Sequence, residues 1–177
     1  MHKILRKKNP IKLGGAGLVV QIDKSCFSHK PKYHRGRASK EPIWVFGLVD
    51  TSTVPCLGYM EIVESRSAMT LLPIINKVVR PGTVIHSDQW KAYSNIQRDL
   101  GLEHHTVNHS VCFVDPHTGV HTQTIESYWG RHKSRIKSMQ GCKREFLHSY
   151  LQEFMWRERN KQDTFHAFCR VIADQYN

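Results

Sequence analysis

Three short apolar runs within the first 63 residues, rich in β-branched and aromatic side chains, constrain the fold of this chain more than any other feature. They are LVVQID at 18–23, IWVFGLVD at 43–50 and CLGYMEIV at 56–63. Each run has the length of one buried strand, and turn residues lie between them. We therefore predict that these strands form an antiparallel meander.

A helical pattern follows the meander and leads to a fourth strand. Apolar residues recur at helical spacing from Met69 to Val78, Ser67 precedes them as the expected N-cap, and the sequence RPG at 80–82 ends the pattern. The run TVIHSD at 83–88 is then the fourth strand. Because the chain reaches this strand through a helix, we expect it to pair in parallel.

The second half of the chain adds a short helix, a fifth strand and three amphipathic helices, at 93–100, 104–109, 122–139, 145–159 and 164–175. A length of 177 residues suits one domain. We expect residues 1–17, which are basic and then Gly-rich, to be a flexible lead-in, and residues 18–177 to form the domain. The predicted fold class is α/β, with a five-stranded mixed sheet of three antiparallel strands and then two parallel strands, flanked by helices.

Two aspartates end separate apolar strands. Asp23 closes the first run and Asp88 closes the fourth. The element order resembles that of ribonuclease-H-like domains, in which the first and fourth strands are neighbours, so the two carboxylates should meet. Glu126 lies in the first turns of the helix after the fifth strand, where it can complete a cluster. Taken singly, each acid is also explained as a turn residue, an N-cap or a partner of the helix dipole.

A cluster of three carboxylates indicates a particular chemistry. Such groups repel one another unless cations hold them, and hard oxygen ligands suit Mg²⁺ or Mn²⁺. Two such ions, about 4 Å apart, serve phosphoryl transfer by activating the attacking oxygen and stabilising the leaving oxygen. The sequence therefore predicts two Mg²⁺ or Mn²⁺ ions at Asp23, Asp88 and Glu126.

The charge of the chain favours a polyanionic partner. Lys and Arg number 26 against 15 Asp and Glu, which gives a net charge of +11. Such a surface favours nucleic acid, although a basic surface without a ligand explains charge alone equally well. No run approaches the about 20 apolar residues of a membrane span, and no signal peptide is recognisable. We expect a soluble intracellular protein, nuclear in a eukaryote and in the cytoplasm or nucleoid in a bacterium.

Long stretches of this sequence resemble a known family. The segments IHSDQWKAY, VDPHTGVHTQTIESYW and LHSYLQEFMWRER are similar to the DDE transposases of the Merlin superfamily and the ISXO-type bacterial insertion sequences, over residues 17–159. The resemblance implies that Asp23, Asp88 and Glu126 are the metal ligands. Some relatives use an amide three residues before this glutamate, here Gln123. Family members often have an acid after the first aspartate, where this chain has Lys24, and carry DNA-binding modules upstream.

Two basic clusters are candidates for DNA contact. Lys133 lies two helical turns after Glu126, and we expect it to act in catalysis by binding the phosphate at the cut. The remaining candidates lie in a loop after the first strand and along the Glu126 helix: Lys32, Arg35, Arg37, Arg131, Arg135 and Lys137. Zinc spacings at His109 and Cys112, and at His117 and His121, are better explained as packing or surface residues.

These features predict the catalytic domain of a DNA transposase. It would hydrolyse phosphodiesters at transposon ends and direct the freed 3′-hydroxyl at target DNA, with double-stranded DNA as partner and a homodimer assembled on it. Two alternatives stay open: a catalytically idle, truncated or domesticated DNA-binding derivative, and a ribonuclease-H-like nuclease without strand transfer.

Overall fold

The computed structural model describes residues 11–27, 41–111 and 113–176. Its strands are β1 Val19–Cys26, β2 Trp44–Asp50, β3 Leu57–Val63, β4 Val84–Asp88 and β5 Glu103–Val107. Its helices are α1 Ala68–Val78, α2 Ile96–Leu100, α3 Gln123–Ser138, α4 Arg144–Arg159 and α5 Thr164–Tyr176. A 3₁₀ turn, Lys91–Tyr93, precedes α2. The predicted element order is confirmed.

The five strands form one mixed sheet in the order β3-β2-β1-β4-β5. The first three strands are antiparallel neighbours, and β1–β4 and β4–β5 pair in parallel. This topology confirms the predicted fold class. It also places β1 and β4 side by side at the centre of the sheet. Asp23 on β1 and Asp88 on β4 therefore lie on neighbouring strands.

Helices cover both faces of the sheet. On one face, α1 and α2 pack against alternate residues of the central strands, including Ile22, Phe46 and Ile85. On the other face, α3 and α4 pack against Val45, Val49 and other residues of the opposite parity. Apolar burial on both sides explains why the central strands read as continuous apolar runs rather than alternating ones.

Strand β1 extends beyond the predicted end at Asp23. It continues to Cys26 because its antiparallel pairing with β2 continues as far as Trp44. Its parallel pairing with β4 ends earlier, at Gln21 opposite His86. The two parallel strands therefore separate just where the aspartates lie, and this separation opens the sheet locally.

The described part of the predicted lead-in, residues 11–17, packs against the sheet. Leu13 is buried in the first core, and its backbone exchanges hydrogen bonds with Val78 and Arg80. The backbone N–H of Gly14 donates to Asp50 at 2.7 Å. This differs from the expected start of the fold at Leu18, because a few apolar residues beside glycines in so short a segment give no periodic signal.

The C-terminal helices have different environments. Phe154 of α4 is buried in the second core, whereas Phe165 and Phe168 of α5 are exposed.

None of the helices in the described ranges combines the length and the apolar character that crossing a lipid bilayer demands.

Candidate active site

Asp23 and Asp88 lie where β1 and β4 separate, two residues beyond the last paired positions of these strands. The ammonium group of Lys24 lies between them. It donates a hydrogen bond to Oδ2 of Asp88 and lies 3.8 Å from Oδ1 of Asp23. The structure therefore brings together the two aspartates for which the sequence predicted a common site.

The carboxylate of Asp23 faces α3 and is held by Trp129, whose indole N–H donates to Oδ2 at 3.0 Å. Gly47 lies opposite Asp23 on β2, and a Cβ there would be 2.4 Å from Cη2 of Trp129, so a glycine leaves room for the indole. Burial raises the pKa of Asp23 above its usual value and Asp88 adds to this, whereas Lys24 and Trp129 oppose it. A cation beside Asp23 therefore stabilises its charged form against this burial.

Asp88 is held at the opposite wall of this opening. Its Oδ1 accepts a hydrogen bond from the backbone N–H of Trp90 at 3.1 Å. Tyr93 is fully buried near the two aspartates. Burial raises the pKa of its phenol well above the usual value, and the charges of Asp23 and Asp88 raise it further. The phenol therefore stays neutral near the carboxylate pair.

Glu126 lies in the first turn of α3, and 47% of its side chain is exposed. Its Oε1 accepts a hydrogen bond from Oγ1 of Thr122 at 3.3 Å and lies 3.6 Å from Nε2 of His109. Within residues 11–27, 41–111 and 113–176, no three His, Cys, Asp or Glu side chains lie close enough to hold one metal ion. Glu126 is therefore not assembled with the two aspartates in this arrangement, and Gln123 is exposed at the start of α3.

Gln21 fastens the start of α3 to the sheet and was not predicted as a site residue from the sequence. It is buried on β1, two residues before Asp23. Its Oε1 accepts a hydrogen bond from the backbone N–H of Ile125 at 3.0 Å, and its Nε2 donates to Nδ1 of His121 at 3.3 Å. This contact holds the helical turn that carries Glu126. The signal in the sequence is a polar residue inside an apolar strand, which needs buried partners.

Lys133 reaches back from α3 to the end of β1. Its Nζ donates to Oγ of Ser25 at 2.7 Å. Burial lowers the pKa of Lys133, although the nearby charges of Cys26 and Asp23 oppose this effect. The predicted catalytic lysine therefore lies on the same side of the sheet as Asp23.

The other predicted DNA contacts on α3 have different surroundings. Arg131 lies 3.3 Å from Glu158, and Arg135 lies 3.9 Å from Glu153, both on α4. Lys137 is exposed. The predicted contacts of the preceding loop lie outside the described residues: Lys32, Arg35 and Arg37.

A buried polar cluster, also not predicted from the sequence, joins α3 to α4. Glu158 accepts hydrogen bonds from the hydroxyl of Tyr128 at 2.9 Å and from Nε2 of His132 at 3.1 Å. The ring of His132 stacks on Phe154 with centroids 5.1 Å apart. The four-residue spacing of Tyr128 and His132, on an otherwise apolar helix face, is the signal for such a cluster.

The residues with zinc-like spacing have other roles where they are described. Nε2 of His109 lies 2.7 Å from Oγ1 of Thr122, and His121 accepts from Gln21. His117 is exposed in a turn. Cys112 lies outside the described residues.

The donor set of the site suits a divalent cation. Asp23 and Asp88 provide hard carboxylate oxygens, the ligands that Mg²⁺ and Mn²⁺ prefer. The ammonium of Lys24 faces both carboxylates, which shows that a positive charge is accommodated between them. The residues present therefore fit a divalent ion held by these two aspartates.

Solved structures with the same fold include retroviral integrase domains. The catalytic core domain of BIV integrase matches with a TM-score of 0.51 and 14% identity, over 90% of this chain and 98% of that one. A chain of the simian T-cell lymphotropic virus intasome, solved in complex with PP2A regulatory subunit B56 gamma, matches with a TM-score of 0.53 and 17% identity, over 86% and 55%. These likenesses establish a ribonuclease-H-like fold.

Sequence comparisons identify the family. An uncharacterized transposase-like protein of Haemophilus influenzae is 28% identical over 107 residues, which cover 60% of this chain and 85% of that protein. The family model of the ISXO2-like transposase domain matches residues 13–159, a span that includes Asp23, Asp88, Glu126 and Lys133. The resemblance seen in the sequence is thereby confirmed, and the chain belongs to the ISXO2-like transposase domain family of DDE transposases.

Proposed function

We propose that this chain is the catalytic domain of a transposase that hydrolyses phosphodiesters at transposon ends and joins the freed 3′-hydroxyl to target DNA. The observation that carries this proposal is the meeting of Asp23 and Asp88 at the separation of two parallel strands, with a cation already between them. Family membership and fold support the same reading.

Asp23, Asp88 and Glu126 would hold two Mg²⁺ or Mn²⁺ ions. When bound, such ions activate the attacking water or 3′-hydroxyl and stabilise the leaving oxygen. Glu126 lies on the first turn of α3, and its half-exposed carboxylate meets the side chains of Thr122 and His109, contacts that a rotamer change can break. We propose that Glu126 turns towards the aspartates when DNA and metal are present.

The chain's own residues prepare the site for this reaction. Trp129 fixes the orientation of Asp23, and the backbone N–H of Trp90 fixes that of Asp88. Asp23 and Asp88 are thus already oriented before a ligand binds. Preorganisation of charged groups is the main way in which a protein accelerates phosphoryl transfer.

One face of α3 is suited to guide the DNA backbone into the site. Glu126, Gly130, Lys133 and Lys137 follow one another at intervals of four, three and four residues, so they lie on one side of the helix. Apart from the backbone of α3 itself, no atom of the described residues lies within 4 Å of a Cβ built at Gly130, so the described structure leaves this face open there. Arg131 and Arg135 already pair with acids of α4, and we propose a smaller part in DNA binding for them.

The test is a cleavage and joining assay on labelled duplexes that carry candidate transposon ends, with Mn²⁺ or Mg²⁺. Asp88→Asn is expected to abolish both products while DNA binding persists. The matched control is Asp99→Asn on α2, whose carboxylate pairs with Arg98 at the surface. EDTA should remove the activity of the wild-type protein.

Two alternatives give different results in the same assay. Cleaved but never joined DNA would identify a nuclease without strand transfer. DNA binding with no cleavage by the wild-type protein, under conditions in which metal binds, would identify a catalytically idle DNA-binding derivative. Joining of two transposon ends in one event requires two copies of the chain on DNA. We therefore propose a homodimer in the complex with DNA.

A further inference from the structure

The side chain of Lys24 approaches the two carboxylates from the opposite face of the sheet. Successive residues of a strand point to opposite faces, so Lys24 leaves β1 on the face away from Asp23. Its ammonium lies beside the rings of Trp90 and Tyr93, with Nζ 4.7 and 5.5 Å from their centroids. The ammonium then turns into the gap between β1 and β4, where it meets Asp88.

The ion pair between Lys24 and Asp88 is more buried than an ion pair at the protein surface. Only 10% of the Lys24 side chain is exposed, compared with 28% for Asp88. The aromatic rings add a favourable cation–π environment around the ammonium. The Lys24 side chain is therefore nearly buried where it meets the carboxylates, and its ammonium faces both of them.

A divalent ion and this ammonium need the same carboxylate oxygens. Oδ1 of Asp88 accepts from the backbone N–H of Trp90, and its Oδ2 accepts from Lys24. In Asp23, Oδ2 accepts from Trp129 and Oδ1 faces Lys24. Two cations at such short range repel each other strongly in a partly buried site. An ion bound by both aspartates thus requires the ammonium to leave Oδ2 of Asp88.

We propose that Lys24 is an internal counter-ion that holds Asp23 and Asp88 together in the metal-free protein and competes with the divalent ion for them. The proposal rests on the proposed metal-dependent function of this site. Its consequence is that Lys24 weakens metal binding by this chain and that metal loading displaces the Lys24 side chain from Asp88.

Lys24→Met tests the competition, because methionine keeps an unbranched apolar stem beside the two rings and removes the charge. Mn²⁺ binding is measured by isothermal titration calorimetry on the purified chain. The expected result is a dissociation constant about tenfold lower than that of the wild type. Without metal, the variant should melt at a lower temperature than the wild type, and Mn²⁺ should raise its midpoint by more.

Lys77→Met is the matched control. Nζ of Lys77 lies 3.3 Å from Glu61 and 5.5 Å from the ring centroid of Tyr59, so it pairs with an acid and an aromatic ring away from the two aspartates. Lys77→Met removes the same charge as Lys24→Met, but its Mn²⁺ dissociation constant should stay at the wild-type value. A similar gain of affinity in both variants would reduce the effect to net charge and overturn the proposal.

A measurement on the wild-type protein covers the case in which Lys24→Met does not fold. In a sample with ¹³C-labelled lysine, the Lys24 ε-carbon resonance is assigned by its loss in Lys24→Arg. Adding Mg²⁺ should shift this resonance as the site fills. A resonance that stays in place while Mg²⁺ binds through Asp88 would overturn the proposal.

Asp88→Asn separates failure of this inference from failure of the proposed function. If the wild type binds Mn²⁺ in a way that Asp88→Asn abolishes, and Lys24→Met binds with an equal or higher dissociation constant, Lys24 does not compete and only the inference is overturned. If neither the wild type nor Lys24→Met binds Mn²⁺ through Asp88, the metal-dependent function fails and the inference fails with it.

Discussion

The indole N–H of Trp129 donates a hydrogen bond to the carboxylate of Asp23 across a distance of 3.0 Å. This contact joins the helix that carries Glu126 to the strand that carries Asp23. The indole lies over Gly47, where no side chain competes for the space. Trp129 therefore couples core packing on this face of the sheet to the orientation of a predicted metal ligand.

Trp129→Phe should retain most of the packing and lose the hydrogen bond. Hydrogen bonds to charged groups contribute about 1.5–3 kcal/mol, so we expect a loss of unfolding free energy of about that size. DNA cleavage should also slow, by about tenfold or more, because Asp23 is no longer held in place. Urea denaturation and cleavage rates measure the two effects. Trp156→Phe on α4 is the control, and an equal loss of cleavage in both variants would contradict this role.

Gly47→Ala should disturb the same contact from the other side. A Cβ at this position would lie 2.4 Å from Cη2 and 2.5 Å from Cζ2 of Trp129, so the ring must move. Overpacking of this kind costs about 1–3 kcal/mol. Gly130→Ala is the matched control, because in the described part of the chain a Cβ there would meet nothing within 4 Å except the backbone of α3, and alanine favours a helix. Thermal denaturation should show a lower midpoint for Gly47→Ala and an equal or higher one for Gly130→Ala.

Gln21→Leu should weaken the attachment of α3 to the sheet. The substitution leaves the buried backbone N–H of Ile125 without its acceptor, which costs about 1–3 kcal/mol. Hydrogen exchange of the first turn of α3 should become faster, since the turn loses its link to β1. Gln97→Leu at the exposed surface of α2 provides the comparison. Unchanged protection at Ile125 would show that this hydrogen bond does not hold the helix start.

His104 should make stability depend on pH. Burial lowers its pKa below the usual 6.5, and the neighbouring His105 and His86 lower it further. A group whose pKa is depressed on folding contributes stability that is present above pH 6.5 and lost as the pH falls through the folded-state pKa. The free energy of unfolding should therefore decrease below this pH.

His104→Gln is expected to make the loss of unfolding free energy at low pH smaller. The glutamine retains a polar partner for Oγ of Ser87, which lies 2.8 Å from Nε2 of His104. Urea unfolding at several pH values, from about 7.5 down to about 5, measures the slope. His117→Gln in an exposed turn should keep the wild-type slope. Equal slopes in the His104 variant and the wild type would exclude this histidine as the source.

The strands were predictable from local sequence patterns, and the meeting of Asp23 and Asp88 was predictable because the element order resembles that of ribonuclease-H-like domains. The runs that end in Asp23 and Asp88 are apolar and β-branched, and a helix between strands dictates parallel pairing. The end of β1 was predicted three residues too early, at Asp23 instead of Cys26. The acid at position 23 predicted the end of the strand, but pairing with β2 on one side continues β1 to Cys26.

Contacts between distant residues could not be read from the sequence. Lys24 meets Asp88 only because β1 and β4 separate, and the pairing of Arg131 with Glu158 depends on how α4 packs against α3. Leu13 was assigned to a lead-in, although it is buried in the core. In each case a single residue has no periodic context, so only the tertiary fold determines its partner.

The most direct test of the central claim is anomalous diffraction from crystals of the chain grown with Mn²⁺ and a DNA end. We expect manganese peaks coordinated by Asp23 and Asp88, with Glu126 turned in as the third carboxylate and Lys24 withdrawn from Asp88. Absence of a peak between Asp23 and Asp88 in crystals that contain bound DNA and Mn²⁺ would contradict it.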